Sequence, residues 1–396
     1  MADILKGQIR YPHAEGVVFG PGCVREQLAS IVEQQGIQRA FLVSTPSLTR
    51  TALLPAIREV LGTRCVGEFT ESRAHTPRTT VVAAARLARA AKADGLISFG
   101  GGSVVDLSKG MALVLAEGED FDRLRSHFTP TTGLQAPKLP APKLPHLAIP
   151  TTLSGGEFTG GIGITDEERG EKDVYVDPKT TPRWVFLDAS LSTATPPDLW
   201  ASTGMKLFAD GIEMLCSPRA TPFSNALACQ SLELLYQNLP TAVADTNDFA
   251  ARGNCMFAAF VIVPYLLNVG VGLVAGLRHQ IGAGHGVPHG VASTIVLPHV
   301  MRWNLPAEAP MLATAAVRLG FVAPGTTPEL AAERVVQAVE ELIGKLSLPT
   351  RLRDVGVPRE ALADIAEHVI HDFVVATNPR RVEKPDDVRE VLNAAW

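Results

Sequence analysis

The sequence is poor in cysteine and in charge, and these shortages exclude several classes of protein. Five cysteines are scattered over 396 residues without C-x-x-C spacing, which argues against a disulfide framework and a thiolate metal site. Charged residues make up only 19%, the net charge is -5, and no long basic run is present, so we expect no nucleic-acid partner. The first residues contain no apolar signal-peptide core, and we therefore expect a cytoplasmic protein.

The longest apolar run is interrupted in a way that disfavours a membrane span. It covers residues 256–277 and contains Pro264, Asn268 and several glycines. Such interruptions favour a buried helix over a span. We expect no membrane partner.

The order of the predicted elements indicates two domains. A chain of 396 residues is too long for one ordinary core. In the first part, predicted strands and helices alternate, which is typical of a parallel sheet covered on both faces. The predicted strands are 16–20, 39–45, 95–103 and 146–152, and the predicted helices are 24–36, 80–95 and 104–116. Residues 136–145, which repeat A-P-K-L-P, favour a stiff extended connector.

After about residue 190 the pattern becomes helical. The predicted helices are 224–243, 256–277, 330–346 and 359–373. The sequence therefore predicts an α/β domain over residues 1–163 and an α-helical domain over residues 164–396. A ligand cleft between two such domains is a common arrangement.

A glycine turn joins a predicted strand to a predicted helix in "SFGGGSVVDLSK", residues 98–109. Without side chains, Gly100, Gly101 and Gly102 let backbone N–H groups approach a phosphate, and the helix N-terminus adds partial positive charge. Ser103 is expected either to add a hydroxyl donor or to cap the helix. The segment matches neither G-x-G-x-x-G nor a P-loop. An ordinary tight turn therefore stays open as the alternative.

Histidines cluster in "HQIGAGHGVPHG", residues 279–290, where His279, His285 and His289 stand among four glycines. Such a cluster is common in metal sites, but it is equally compatible with histidines that act on a substrate. The choice depends on the other ligands.

Several segments in order resemble the iron-containing (group III) alcohol dehydrogenase superfamily, which includes dehydroquinate synthase-like folds. Besides the glycine turn they are 149–152, 186–191, 202–213, 284–304 and 378–380. Within the superfamily, "TTLSGGEFT" (151–159), Ser44-Thr45-Pro46 and His75-Thr76-Pro77 are most similar to maleylacetate reductases. The resemblance covers nearly the whole chain. It implies a Rossmann-like parallel-sheet domain followed by an all-helical domain, and we expect a homodimer.

The resemblance also implies a dinucleotide site. The cofactor-binding residues it indicates are Thr45, Pro46, Gly100, Gly101, Gly102, Ser103, Asp106, Thr151, Thr152 and Ser154. The glycines and Ser103 would hold the pyrophosphate, and Thr151, Thr152 and Ser154 would line the ribose and nicotinamide. NAD-selective relatives place an aspartate near Thr45, whereas a threonine does not repel a 2′-phosphate. The cofactor is therefore expected to be NADP or NAD, unless Thr45 only terminates a strand.

The metal positions of the superfamily are largely lost. Members that bind iron or zinc use a G-M-D-x-x-x-H helix and two downstream histidines. At these four positions the sequence has Lys206, Asp210, Ala275 and His289. One histidine beside a lysine cannot hold a divalent ion, so we expect no metal. An alignment shifted by one helical turn would put His279 at the third position, but Lys206 would still spoil the site.

Four residues are the candidate catalytic residues: His279, Lys206, Asp210 and His289. Lys206 and Asp210 are four residues apart and can form an ion pair on one helical face. This pair is either a solvated surface pair or a replacement in which the ammonium takes the place of the metal near the substrate oxygen. His279 suits proton transfer at neutral pH, with a structural histidine as the alternative. His285 is predicted to be a loop residue without a chemical role.

These features predict an NAD(P)H-dependent reductase similar to maleylacetate reductase, which passes hydride to a small oxo-acid without a metal. One alternative is a metal-independent reductase of aldehydes or ketones in a biosynthetic pathway. The other is a homologue that binds the cofactor but has lost catalysis.

Overall fold

The computed structural model describes residues 14–129 and 133–396. The strands are β1 (Gly16–Phe19), β2 (Ala40–Val43), β3 (Cys65–Phe69), β4 (Gly95–Gly100), β5 (His127–Thr129), β6 (Gly133–Gln135), β7 (His146–Pro150), β8 (Gly161–Asp166), β9 (Glu171–Val176) and β10 (Trp184–Leu187). The α-helices of the first part are α1 (Cys23–Gln34), α2 (Pro46–Thr49), α3 (Leu53–Leu61), α4 (Arg78–Ala90), α5 (Gly102–Glu117) and α6 (Phe121–Leu124). Those of the second part are α7 (Pro197–Cys216), α8 (Pro222–Ala244), α9 (Phe249–Ile262), α10 (Leu266–Val269), α11 (Leu273–His285), α12 (His289–Arg318), α13 (Pro328–Lys345), α14 (Ala361–Val369) and α15 (Pro385–Ala395).

The centre of the first part is a six-stranded parallel sheet with the order β1-β10-β7-β4-β2-β3. All residues of β4 and β7 are buried, as expected for strands covered on both faces. Gly100 pairs in register with Pro150, so these two strands end side by side. The glycine turn and the segment 151–159 therefore leave the sheet at adjacent points. In sheets of this kind, ligands bind at the carboxyl ends of the strands.

The sheet extends further along the chain than the sequence predicted. The expected boundary at residue 163 falls inside β8, which pairs with β9 in an antiparallel hairpin. Farther on, β10 returns to the six-stranded sheet between β1 and β7. Because the sheet ends at Leu187 and the first long helix begins at Pro197, we place the division between those two residues. The sequence analysis did not predict β8, β9 and β10. No α-helix separates these strands, so the pattern of a β-α-β unit is absent.

The second part is helical, as predicted, and it shares a core with the sheet. Trp200, Met205 and Phe208 of α7 belong to the same buried cluster as Ala148 of β7 and Val185 of β10. α7 also packs against α8 and α12. The helix that carries Lys206 is thereby held against the edge of the sheet where the glycine turn lies.

The apolar run 256–277 is not one helix. α9 ends at Ile262, α10 is short, and Gly270, with a φ of 80°, separates it from α11. Pro264 lacks a backbone N–H and a left-handed glycine ends a helix, which explains both breaks. By length and composition alone, Phe249–Val269 qualifies as a candidate membrane span, with a window of mean hydropathy 1.5. A core helix of a soluble protein passes the same test, so this is weak support for a span.

Candidate active site

The glycine turn forms a cradle at the start of α5. Gly100 has a φ of 154°, which side-chain-bearing residues rarely adopt. A Cβ on Gly101 would lie 3.0 Å from Thr152 Cγ2, and one on Gly102 would lie 2.9 Å from Ser154 Cβ. The two predicted cofactor segments are therefore in contact.

The start of α5 is left open to a ligand. No side chain in the described parts of the chain caps this helix. Ser103 lies inside the helix, and its carbonyl accepts a hydrogen bond from the Thr76 hydroxyl. Of its two expected roles, capping the helix is therefore wrong, and donating its hydroxyl to a cofactor stays a prediction. The start of a 16-residue helix without a side-chain cap is a common place for anions to bind.

Thr45 lies at the end of β2, on the same edge of the sheet. The neighbouring Ser44 hydroxyl donates to the carbonyl of Phe99, 2.8 Å away, which ties the end of β2 to that of β4. Thr45 is the residue before the first turn of α2, and its side chain makes no capping hydrogen bond to that helix. Its hydroxyl is therefore available at the edge where the glycine turn lies.

Asp106 is occupied by contacts within the protein. Its carboxylate lies 3.0 Å from Lys109 Nζ and accepts the N–H of Gly163, so direct contact with a cofactor stays a prediction. Lys109, which sequence reasoning missed, is fully buried and also donates to the carbonyls of Gly156 and Gly161. It fixes the loop that follows Thr152 and Ser154. The sequence does contain a signal for Lys109, because this lysine lies on the apolar side of the predicted helix 104–116.

Lys206, Asp210 and Arg278 form a cation–carboxylate triad. Asp210 Oδ2 lies 2.7 Å from Lys206 Nζ, and Oδ1 lies 2.6 Å from Arg278 Nη1. Asp210 is fully buried, so the alternative of a solvated surface pair is wrong. Burial by itself would raise the pKa of Asp210, but the charges of Arg278 and Lys206 outweigh it and lower that pKa. With one carboxylate and two cations, the triad carries a net positive charge.

The triad touches the cofactor segment directly. Lys206 Nζ donates to the carbonyl of Ser154 at 3.3 Å. Glu157, a few residues on, is buried, and burial raises its pKa to about 7. Lys206 therefore lies between the predicted nicotinamide pocket and the buried carboxylate of Asp210.

Two of the three clustered histidines have neighbouring rings, tilted by 50°. The rings of His279 and His289 have centroids 5.8 Å apart. Burial, with the nearby charge of Arg278, lowers the pKa of His289 to about 2, so this ring is neutral near pH 7. His279 Nδ1 lies 2.8 Å from Asp372 Oδ2, a partner that the sequence did not reveal. His285 is the last residue of α11 and not a loop residue.

Buried polar groups hold the start of α11. Glu213 Oε1 accepts the N–H of Val274 at 2.7 Å, and Asn378 Oδ1 accepts that of Leu273 at 3.0 Å. Burial raises the pKa of Glu213 to about 7. These caps fix the helix that carries Arg278 and His279, and sequence reasoning did not identify Glu213.

The residues at the four metal-ligand positions do not fit a divalent ion. Asp210 is the only carboxylate among them, and both its oxygens are paired with cations. Ala275 offers no ligand atom, and His289 stands within reach of the Arg278 and Lys206 charges. Within residues 14–129 and 133–396, no group of three or more His, Cys, Asp or Glu is arranged to hold a metal.

Comparison with known proteins identifies the family. The iron-containing alcohol dehydrogenase profile matches residues 14–189, and the C-terminal profile of the Fe-containing alcohol dehydrogenase family matches residues 200–396. Lactaldehyde reductase of Escherichia coli strain K12 is 32% identical over 383 residues, which cover 96% of this chain and 97% of that protein.

Solved structures show the same fold. 1,3-propanediol oxidoreductase aligns with a TM-score of 0.89 and 26% identity, over 98% of this chain and 100% of that one. Maleylacetate reductase from Agrobacterium tumefaciens aligns with a TM-score of 0.78 and 25% identity, over 99% of both chains. The predicted fold class and the family resemblance are confirmed. The chain belongs to the iron-containing alcohol dehydrogenase family and is an oxidoreductase.

Proposed function

We propose that this protein is an NAD(P)H-dependent reductase, similar to maleylacetate reductases, that transfers hydride to the carbonyl of a small oxo-acid without a metal. The observation that carries the proposal is the cation–carboxylate triad at the metal-ligand positions. Lys206 joins this triad to the Ser154 carbonyl of the cofactor segment. A neutral aldehyde or ketone as substrate is the second candidate.

The cofactor site fits a dinucleotide. The uncapped start of α5 and the close glycine turn suit a pyrophosphate, and Thr152 and Ser154 line the side of the turn. Thr45 has no carboxylate to repel the 2′-phosphate of NADP, and it has no positive charge that would favour that phosphate. Both NADP and NAD therefore fit this position. When bound, the reduced nicotinamide supplies the hydride.

In this proposal Lys206 polarises the carbonyl. Negative charge develops on the carbonyl oxygen during hydride transfer, and an oriented cation nearby stabilises it. Asp210 fixes the ammonium, and Arg278 neutralises Asp210 so that the Lys206 charge is not cancelled. The same positive charge attracts the carboxylate of an oxo-acid.

His279 supplies the proton in this proposal. Its side chain is 34% exposed, so water can restore the proton after each turnover. His289 cannot serve as the acid near pH 7, because its pKa of about 2 leaves the ring neutral. We assign His289 a hydrogen-bonding role toward the substrate.

The assembly and location of the protein are also proposals. β1 is an edge strand of the sheet, and Phe19 at its end is 64% exposed. An exposed edge with a large apolar side chain suits pairing with a second copy. We propose that the protein is a cytoplasmic homodimer. Sedimentation analysis measures its oligomeric state and so tests the dimer directly.

A substrate panel tests the function. We expect NADPH or NADH oxidation with small oxo-acids, and weaker kcat/KM with their methyl esters, which keep the carbonyl but lose the negative charge. Equal rates with acid and ester would favour the neutral-carbonyl candidate. Cofactor binding without turnover of any carbonyl would contradict both and favour a homologue without catalysis.

The purified protein is expected to contain no stoichiometric iron or zinc. Lys206 and Arg278 repel a divalent ion, and Ala275 provides no ligand. Elemental analysis of the active protein is the measurement, together with rates before and after chelation. One metal per chain, with activity lost on chelation and regained with the ion, would overturn the metal-free proposal.

Gly101→Val is expected to weaken cofactor binding by about tenfold or more, since overpacking typically costs about 1–3 kcal/mol. Even the Cβ would lie 3.0 Å from Thr152 Cγ2, and the branched methyls would fill the space above the turn. Fluorescence titration with NADPH measures the effect. Gly344→Val, in open space on α13, is the matched control. Unchanged affinity in Gly101→Val would show that the turn does not bind the cofactor.

A further inference from the structure

Asp372 contacts two groups at once. Its Oδ2 lies 2.8 Å from Nδ1 of His279, and its Oδ1 accepts the N–H of Val374. The carboxylate is 9% exposed, whereas the His279 side chain is 34% exposed. One oxygen therefore anchors the aspartate to its own segment, and the other holds the histidine.

We propose that Asp372 is a positioning residue for proton transfer, which holds His279 with a proton on Nδ1 and directs Nε2 to the substrate. The proposal rests on the reductase function proposed above. It concerns a residue that lies outside the metal-ligand positions and outside the cofactor segments.

The chemistry of the two partners fixes the tautomer. A carboxylate offers only acceptors, so His279 must donate from Nδ1. In the described parts of the chain, no residue pairs with Nε2. The same arrangement orients the histidine of Ser-His-Asp triads, where the aspartate also stabilises the imidazolium.

The proton balance is complete without another reactant. Hydride adds to the carbonyl carbon, and the oxygen that gains the electron pair takes one proton from Nε2 of the imidazolium. This leaves neutral His279 with its proton on Nδ1, still bound to Asp372. Water then restores the proton on Nε2 through the exposed side of the ring.

The segment that carries Asp372 is tied to the start of α11. The Thr377 hydroxyl donates to the carbonyl of Val271, and Asn378 accepts the N–H of Leu273. A Cβ on Gly276 would lie 2.6 Å from Val375 Cγ2, so the helix packs closely on this segment. The distance between Asp372 and His279 is thus set by rigid neighbours, which proton transfer requires.

Asp372→Asn tests the proposal. The amide can still accept the Val374 N–H, but it can also donate to Nδ1 and so permits the wrong tautomer. We expect kcat for carbonyl reduction to fall roughly 10–100-fold, the typical effect of losing an orienting partner, with unchanged NADPH affinity. Asp248→Asn is the matched control, because Asp248 caps α9 through Ala251 and has no histidine partner. Unchanged kcat in Asp372→Asn, or an equal loss in Asp248→Asn, would overturn the proposal.

A double variant separates positioning from a structural effect. If Asp372 acts through His279, then Asp372→Asn costs no further activity in a His279→Ala background, whereas independent effects multiply. Multiplying losses would overturn the proposal. If Asp372→Asn does not fold, Asp372→Ser keeps an oxygen near Val374 but cannot reach the ring, and the same comparison applies.

NMR of the histidine ring nitrogens needs no enzyme activity. We expect a protonated Nδ1 for His279 in the parent protein and a mixture of tautomers in Asp372→Asn. A parent protein without reductase activity would refute the proposed function but leave this readout intact. A His279 ring protonated only on Nε2 in the parent would refute the role of Asp372 by itself.

Discussion

His279→Ala is expected to lower kcat by about 10²–10⁴-fold, the usual contribution of a positioned acid or base. His279 lies on α11 one turn after Ala275, so both residues lie on the same face of the helix. The ring contacts Asp372 and lies beside the His289 ring, and neither residue belongs to the glycine turn. Cofactor affinity should therefore change little. Steady-state rates and an NADPH titration of the same preparation measure the two quantities.

The neighbouring histidine provides the control. His285 is the last residue of α11, six residues beyond His279, and we expect His285→Ala to leave kcat nearly unchanged. Full activity in His279→Ala would show that water or another group delivers the proton. Equal losses in both variants would indicate damage to the helix and not to the chemistry.

Local patterns predicted the parts of the fold that depend on short segments. The strand–glycine–helix order predicted β4, the turn and α5, with element ends within three residues of those observed. The i, i+4 spacing predicted Lys206 and Asp210 on one helical face, and Lys206 Nζ lies 2.7 Å from Asp210 Oδ2. Such features depend on neighbours along the chain, which a single sequence displays directly.

Pairings between distant segments were not predictable. Arg278 meets Asp210 across 68 residues, and His279 meets Asp372 across 93. A buried arginine and an exposed one have the same local sequence signal, so the sequence alone does not indicate that Arg278 is buried beside Asp210. The return of β10 to the sheet, beyond residue 163, was not predicted for the same reason, because β10 pairs with β1 and β7, which lie earlier in the chain.

The triad gathers positive charge where the superfamily pattern has metal ligands. Where the superfamily pattern has an aspartate and histidines around a divalent ion, this chain has two protein cations around one aspartate, with His289 neutral beside them. Both arrangements leave net positive charge next to the cofactor segment. Arg278 is the buried anchor of the triad, whereas Lys206 retains 19% side-chain exposure. Among these three residues, Lys206 is the most exposed.

Lys206→Met is the second variant with a large expected effect. Removing one preorganised group that stabilises a developing oxyanion typically costs about 10²–10³-fold in kcat, and we expect a loss of that size. Methionine retains much of the length of the side chain, and Asp210 keeps its bond to Arg278 at 2.6 Å. The fold should therefore persist, which thermal denaturation and the NADPH titration can check.

Lys206→Arg distinguishes charge from packing. Arginine restores the positive charge at this position. The charge of its guanidinium is delocalised, whereas that of the lysine ammonium is compact. We expect Lys206→Arg to recover part of the kcat lost in Lys206→Met, and to recover more of it with oxo-acids than with their methyl esters. If Lys206→Met keeps kcat within about twofold of the parent, the lysine only neutralises Asp210, and the carbonyl must be polarised by other groups.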